Sequence, residues 1–308
     1  MKVMKPWGVI AALTIAATTL AGCTNASEQG SSENPTPGSS AAASFDPSTV
    51  TADSALADKV PAAIKDRGTL IIGTDVTYEP AEFLDENQKP AGYDLDMARS
   101  IAMKLGLKPD VQAADFTGIL PALGAKYDIG ISSFTITPER LDSVNMVGFF
   151  MAGTSWATQS GNPKNFDPKD PCGKSVGVQT GTTQEDELEA TSKTCTSEGK
   201  DPIDIVTLSK QTDVTTRLAN GQLDAMIGDS PLIANAITKT NGALEQVGDV
   251  TGEAVQGIAT AKSDTALADL VQQALQSLKE DGSYAKVLET WGVSDSAVDT
   301  FEVNPKVS

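Results

Sequence analysis

Arg140 and Asp229 are the two side chains whose type and position would do the most chemistry in this 308-residue chain. Arg140 closes the run Ser132-Ser133-Phe134-Thr135-Ile136-Thr137-Pro138-Glu139-Arg140, in which Thr137 reads as an N-cap and Pro138 as the first helical residue. That puts the guanidinium in a first turn, where the helix dipole disfavours a cation by a few tenths of a kcal/mol. The placement makes sense if an anion lies between Arg140 and the free amides of the turn; a surface pair with Glu139 is the plainer alternative. A second helix start, Gln179-Thr180-Gly181-Thr182-Thr183-Gln184-Glu185, carries a capping box from Thr182 to Glu185 and a permissive Gly181. Asp229 follows Ala225-Met226-Ile227-Gly228, and Asp75 follows Ile72-Gly73-Thr74. Either acid taken singly could be a turn residue. Together the set offers an anion clamp and a cation acceptor, the two poles of a zwitterion.

Composition removes the main alternatives. With no histidine, neither a Ser-His-Asp nor a Cys-His mechanism is available, nor a zinc site that needs imidazole. Three cysteines are too few for a four-thiolate metal or iron–sulfur site. Lys+Arg number 23 against 41 Asp+Glu, a net charge of −18, which suits nucleic acid poorly. The chain has no G-x-x-x-x-G-K-[ST] loop and so no recognisable ATP site. The expectation is a binding protein without metal or cofactor.

The elements that must position these residues alternate. Leu70-Ile71-Ile72 reads as a buried strand. Asp94 reads as the cap of a helix with Leu95, Ala98, Ile101, Ala102 and Leu105 on one face. A strand opening at Val111, a helical stretch from Phe116 to Leu123 distorted by Pro121, and a strand Asp128–Ile131 complete one α/β unit. The pattern restarts with strand Ser175–Val178, helix Thr182–Ser192, strand Ile203–Val206, helix Val214–Leu218 and strand Ala225–Ile227. A last amphipathic helix carries Leu267, Leu270, Val271, Ala274 and Leu278. Two such units predict a bilobed α/β protein whose ligand sits beyond the carboxyl ends of its strands.

The amino terminus is an address. Lys2 and Lys5 precede an apolar run from Trp7 to Leu20, closed by Ala21-Gly22-Cys23, which resembles a bacterial lipobox. Residues 1–22 are then a signal peptide and Cys23 a lipidated residue that anchors the chain to a membrane face. The Ser-, Ala-, Gly- and Pro-rich stretch that follows reads as a flexible tether, assigned here to residues 23–58.

These motifs in this order resemble the family 3 extracellular solute-binding proteins, the amino-acid-binding components of ABC importers. The resemblance runs from roughly Lys59 to Val303 and is carried by Gly73-Thr74-Asp75 with Tyr78 and Pro80, Gly92-Tyr93-Asp94-Leu95-Asp96, and Lys126-Tyr127-Asp128. The Ser132–Arg140 run, Gly181-Thr182-Thr183-Gln184 and Gly282-Ser283-Tyr284 extend it, most closely toward the lipid-anchored branch of Gram-positive actinobacteria. It implies a type II periplasmic-binding-protein-like fold, two doubly wound α/β lobes joined by two crossing strands. Lobe 1 would hold residues 59–153 and 257–308, lobe 2 residues 154–256. By position, Arg140 would grip an α-carboxylate with the Thr135 and Thr183 amides, and Asp229 would take the α-ammonium with the Ser133 carbonyl. Asp75, Tyr78, Phe116, Ser132 and Gln179 would line the side-chain end. Two departures, Pro80-Ala81 after the early aromatic and Phe149-Phe150-Met151 without a proline, bear on side-chain specificity and leave the clamp alone.

The same resemblance implies a monomer that captures a polar or basic L-amino acid by lobe closure. It would deliver the ligand to a membrane permease and its ATPase on the extracytoplasmic face. With Cys23 lipidated, Cys172 and Cys195 remain as an even pair in an oxidising compartment, and a disulfide between them is expected. Two readings compete. A dehydratase acting on prephenate-like substrates shares the fold and would need an added carboxylic acid, for which Glu79 or Glu82 are candidates; a receptor presenting its ligand to a sensor protein is the other.

Overall fold

The computed structural model describes residues 45–307. The expected signal peptide and Cys23 lie outside the described residues. Part of the expected tether does not behave as one. A 3-10 turn at Pro47–Thr49 and helix α1 (Ser54–Ala57) are capped by the carboxylates of Asp46 and Asp53, and Val50 and Leu56 are buried against the first lobe. Three apolar residues, Phe45, Val50 and Leu56, give this stretch surface to bury.

Helix α2 (Ala62–Arg67) ends at Gly68 in the left-handed conformation and feeds strand β1 (Thr69–Thr74). A small sheet follows, made of β2 (Thr77–Tyr78), β3 (Glu82–Leu84) and β4 (Pro90–Ala91). Helix α3 (Tyr93–Lys104) buries Leu95, Ala98, Ile101 and Ala102 as expected. Its start corrects the sequence reading, because Gly92 and not Asp94 is the N-cap. A side chain at position 92 would run into the Ala81 carbonyl, so the chain turns there and Asp94 falls inside the first turn.

Strand β5 (Lys108–Ala113), helix α4 (Phe116–Ile119) and strand β6 (Ile129–Gly130) complete the first crossovers. The stretch after α4 tightens into a 3-10 turn at Leu120–Ala122, the distortion that Pro121 imposes. Helix α5 (Pro138–Ser143) begins with Thr137 accepting the Arg140 N–H at 3.2 Å.

Strand β7 (Val144–Gln159) then runs out of the first lobe into the second. There the chain forms β8 (Ser175–Gln179), α6 (Thr183–Ser197), β9 (Asp204–Leu208), α7 (Gln211–Ala219), β10 (Ala225–Asp229) and α8 (Ser230–Lys239). Strand β11 (Leu244–Ala261) returns, and α9 (Thr265–Glu280) and α10 (Ser283–Thr290) pack on the first lobe.

The large sheet has the order β5-β1-β6-β11-β7-β10-β8-β9. β1 pairs in parallel with β5 and β6, and β8 in parallel with β9 and β10, so each end is an α/β unit. β7 and β11 pair antiparallel along almost their whole length and form the bridge. Their register shifts between Val247 and Thr251, between Thr251 and Ala254, and between Gln256 and Gly257. Separate cores flank this bridge: Leu70, Ile72, Ile101, Phe150 and Val271 on one side, Trp156, Val176, Val178, Leu188 and Ile227 on the other. This is the two-lobed α/β architecture expected.

Cys172 and Cys195 form the expected disulfide, with 5.6 Å between Cα atoms. It ties the last turn of α6 to the segment entering β8, and α6 is the helix whose other end faces the first lobe.

Candidate functional site

Five strand ends and helix starts converge where the lobes meet. Asp75 leaves β1, and the Ser132–Thr135 turn leaves β6. From the second lobe come Gln179 at the end of β8, Thr182, Thr183 and Gln184 at the start of α6, and Asp229 at the end of β10. Nine of the ten proposed ligand residues line one cavity: Tyr78, Phe116, Ser132, Ser133, Thr135, Arg140, Gln179, Thr183 and Asp229. Asp75 stands one layer back. Its carboxylate accepts from the Thr77 and Phe116 amides and from Gln179 Nε2, at 2.7, 3.2 and 3.1 Å.

The guanidinium of Arg140 lies 5.7 Å from the ring centres of both Phe116 and Phe134, which are stacked on each other. It donates to the Thr135 carbonyl at 2.8 Å and, across the lobes, to the Gly181 carbonyl at 3.1 Å. Among the described residues, neither the Thr135 nor the Thr183 backbone N–H has a partner. Arg140 therefore stands beside two free amides, one from each lobe, an arrangement suited to a carboxylate. Burial pulls its affinity for a proton down, while Asp186 and Asp229 push it up.

Asp229 is fixed from two sides. Gln184 Nε2 donates to one carboxylate oxygen at 2.8 Å and Gln256 Nε2 to the other at 2.7 Å. Burial raises its pKa to about 6, and the two amides oppose that shift. The sequence reading missed Thr182, Gln184 and Gln256. Gln184 sat inside a quoted motif, but the partner of an amide on β11 depends on how that strand is registered, which no local pattern encodes.

Direct contacts cross the seam at several points. Gln179 reaches Asp75, the Asp229 N–H donates to Tyr78 Oη, the Gln211 N–H donates to Thr77 Oγ1, and the Thr135 and Thr183 hydroxyls meet at 3.4 Å. The enclosed volume is about 10 Å³, room for about one water. With these contacts made, the two lobes are closed on each other. Neither acid proposed for an enzyme lines the cavity. Glu79 pairs with Lys239 at 2.8 Å, and Glu82 lies behind Ser132.

The family model for bacterial extracellular solute-binding proteins, family 3, matches residues 70–294. The arginine-binding protein ArgT of Corynebacterium glutamicum is 34% identical over 248 residues, covering 80% of this chain and 81% of its own. A solved structure of a mutant of ArgBP from T. maritima superposes with a TM-score of 0.68 at 33% identity, covering 77% of this chain and 99% of that one. The ancestral amino acid-binding protein AncCDT-1, described as a precursor of cyclohexadienyl dehydratase, gives a TM-score of 0.67 at 32% identity, covering 74% and 97%.

Proposed function

The chain belongs to the bacterial extracellular solute-binding proteins of family 3, and from that membership we propose that it captures an L-amino acid between its lobes for an ABC importer. One observation carries this reading: Arg140 from the first lobe and Asp229 from the second line the same cavity. A carboxylate at Arg140 and an ammonium at Asp229 are satisfied together only when the lobes are closed, so a ligand with both favours closure by its differential affinity.

The side chain of the ligand points toward Asp75, Tyr78 and Gln179. Four acids (Asp75, Glu82, Asp94 and Asp229) are buried around the site, and even with a single charge between Glu82 and Asp94 they outnumber Arg140, the cation that lines it. That imbalance favours a guest of net positive charge, a basic amino acid, over a neutral polar one. The arginine-binding activity named for the Corynebacterium relative points the same way. Lipidated Cys23 holds the monomer at the extracytoplasmic face, where a permease with its ATPase receives the closed form. The lobes divide near residues 153–154 and 256–257, at the shifted registers of the bridge.

A thermal-shift screen against the common amino acids tests this. A ligand at about 100 times its Kd adds about 2.7 kcal/mol of stability, and the largest shift is expected from a basic L-amino acid. No shift from any amino acid overturns the reading.

A further inference from the structure

Behind the Ser132–Ser133 turn lie two carboxyl groups that the clamp does not use. Glu82 on β3 and Asp94 on α3 are 1% and 0% exposed. Ser132 Oγ donates to Glu82 Oε1 at 2.8 Å, and the Ser133 N–H donates to Asp94 Oδ2 at 2.7 Å. Ser133 Oγ lies 3.5 Å from Glu82 Oε2 and 3.5 Å from Asp94 Oδ2, so both carboxyls border the same hydroxyl. Asp94 Oδ1 is fully buried and has no partner among the described residues.

Among the described residues, the other ionisable groups that act most on the pair carry no positive charge. They are Asp75 beyond β1, Tyr78 on β2, Tyr93 on α3 and Asp229 at the end of β10. Two adjacent carboxylates in such surroundings do not both ionise. A proton held between them removes the repulsion and gives the orphaned oxygen its hydrogen bond. Burial, followed by the neighbouring acid, pushes Glu82 well up, and burial lifts Asp94 to about 7.

What the pair supports is a strained turn. Ser133 has φ of 49°, the left-handed region a non-glycine residue rarely occupies. The Asp94 carboxylate accepts its N–H in that conformation, and Ser133 lines the cavity next to Asp229. We propose that Glu82 and Asp94 are positioning residues for the ammonium end of the site, a carboxyl–carboxylate pair whose shared proton holds Ser133 in its left-handed turn. The proposal rests on the amino-acid reading above. It adds that losing the proton frees the turn and weakens capture.

The test measures the Kd of the amino acid that gives the largest thermal shift, from about pH 6 to about pH 9. Five proteins are compared: wild type, Glu82→Gln, Glu82→Ala, Asp94→Ala, and Asp94→Ala combined with Ser133→Gly. Glu82→Ala weakens binding about tenfold, and Glu82→Gln, which always carries a donor, recovers most of that loss. Wild-type affinity falls more steeply with rising pH than that of Glu82→Gln, and the difference between the two profiles cancels the titration of the ligand itself. Asp94→Ala weakens binding, and adding Ser133→Gly restores part of it, because glycine takes the left-handed turn unaided. Parallel pH profiles for wild type and Glu82→Gln, or no rescue by Ser133→Gly, overturn the proposal. If Asp94→Ala does not fold, the Glu82→Gln profile decides alone. Binding of an amino acid with parallel profiles ends this inference only, whereas no amino acid binding at all ends the functional reading beneath it.

Discussion

Across the closed seam, the backbone N–H of Asp229 donates to the hydroxyl of Tyr78 at 3.0 Å. The two residues come from different lobes, so under the proposed lobe closure this bond is made only in the shut form. It joins the residue proposed to hold an ammonium directly to the closing motion. Tyr78→Phe removes the acceptor and leaves a buried N–H unpaired in the closed form alone. Ligand affinity should fall about fivefold to tenfold, corresponding to about 1 kcal/mol, while the ligand-free melting temperature stays nearly unchanged. Calorimetric titration beside a melting curve separates the two effects.

Asp229→Asn should abolish binding and yet stabilise the ligand-free protein at neutral pH. Burial holds the carboxyl's pKa at about 6 against an ordinary 3.8. The folded state therefore binds the proton more tightly than the unfolded one, and stability is lost as pH rises from about 4 through about 6. The full difference corresponds to about 3 kcal/mol. Denaturant unfolding across that window should slope downward in the wild type and lie flatter in the variant. Ligand affinity should run the other way and weaken as pH drops below about 6, since the ammonium must then displace a proton.

Arg140→Ala should cost at least about 100-fold in affinity, the scale of a desolvated charged pair. Arg140→Lys should recover little of it, because an ammonium does not match a carboxylate bidentately. Circular dichroism should report an unchanged fold, since α5 keeps its Thr137 cap. Retained affinity in the alanine variant would show that the carboxylate binds elsewhere.

Gly181 has φ of 81°, and a side chain there would approach Thr117 of the opposite lobe to 2.6 Å. Gly181→Ala should therefore hinder closure more than folding. The expected result is weakened binding with a ligand-free scattering radius larger than that of the wild type.

Replacing Cys172 and Cys195 together by serine should lower stability by about 3 kcal/mol, from the loop of 23 positions that the bond closes. Because α6 also presents Thr183 and Gln184, some affinity should be lost with it. A mass measurement with and without reduction before alkylation checks the bond itself.

Strand and helix alternation, the Thr137 cap with Arg140 in the turn it starts, and the strand-end position of Asp229 were all legible in sequence, because each depends on spacing within a few residues. Helix α8 was not anticipated, since Asp229 taken singly reads as a turn residue and no helix was assigned after it. The assignment of residues 45–58 to the tether failed because three scattered apolar residues carry no periodicity, yet each finds the first-lobe core. Asp94 satisfied a capping pattern on paper. A close approach between Gly92 and Ala81 started the helix elsewhere and freed the carboxylate for Ser133. Tertiary contacts of this kind leave no local trace.

The bridge between the lobes is an antiparallel ladder from Val144–Ala261 to Gln159–Leu244, interrupted between Val247 and Thr251 and between Thr251 and Ala254. Under the proposed lobe closure, a joint of that construction would act as a leaf spring that flexes at its irregular steps. Parting the jaws would then cost elastic work in the bridge on top of the cross-lobe hydrogen bonds that it breaks. Substitutions at Gly153, or from Val250 to Ala254, should retune affinity from a distance, without meeting the guest at all.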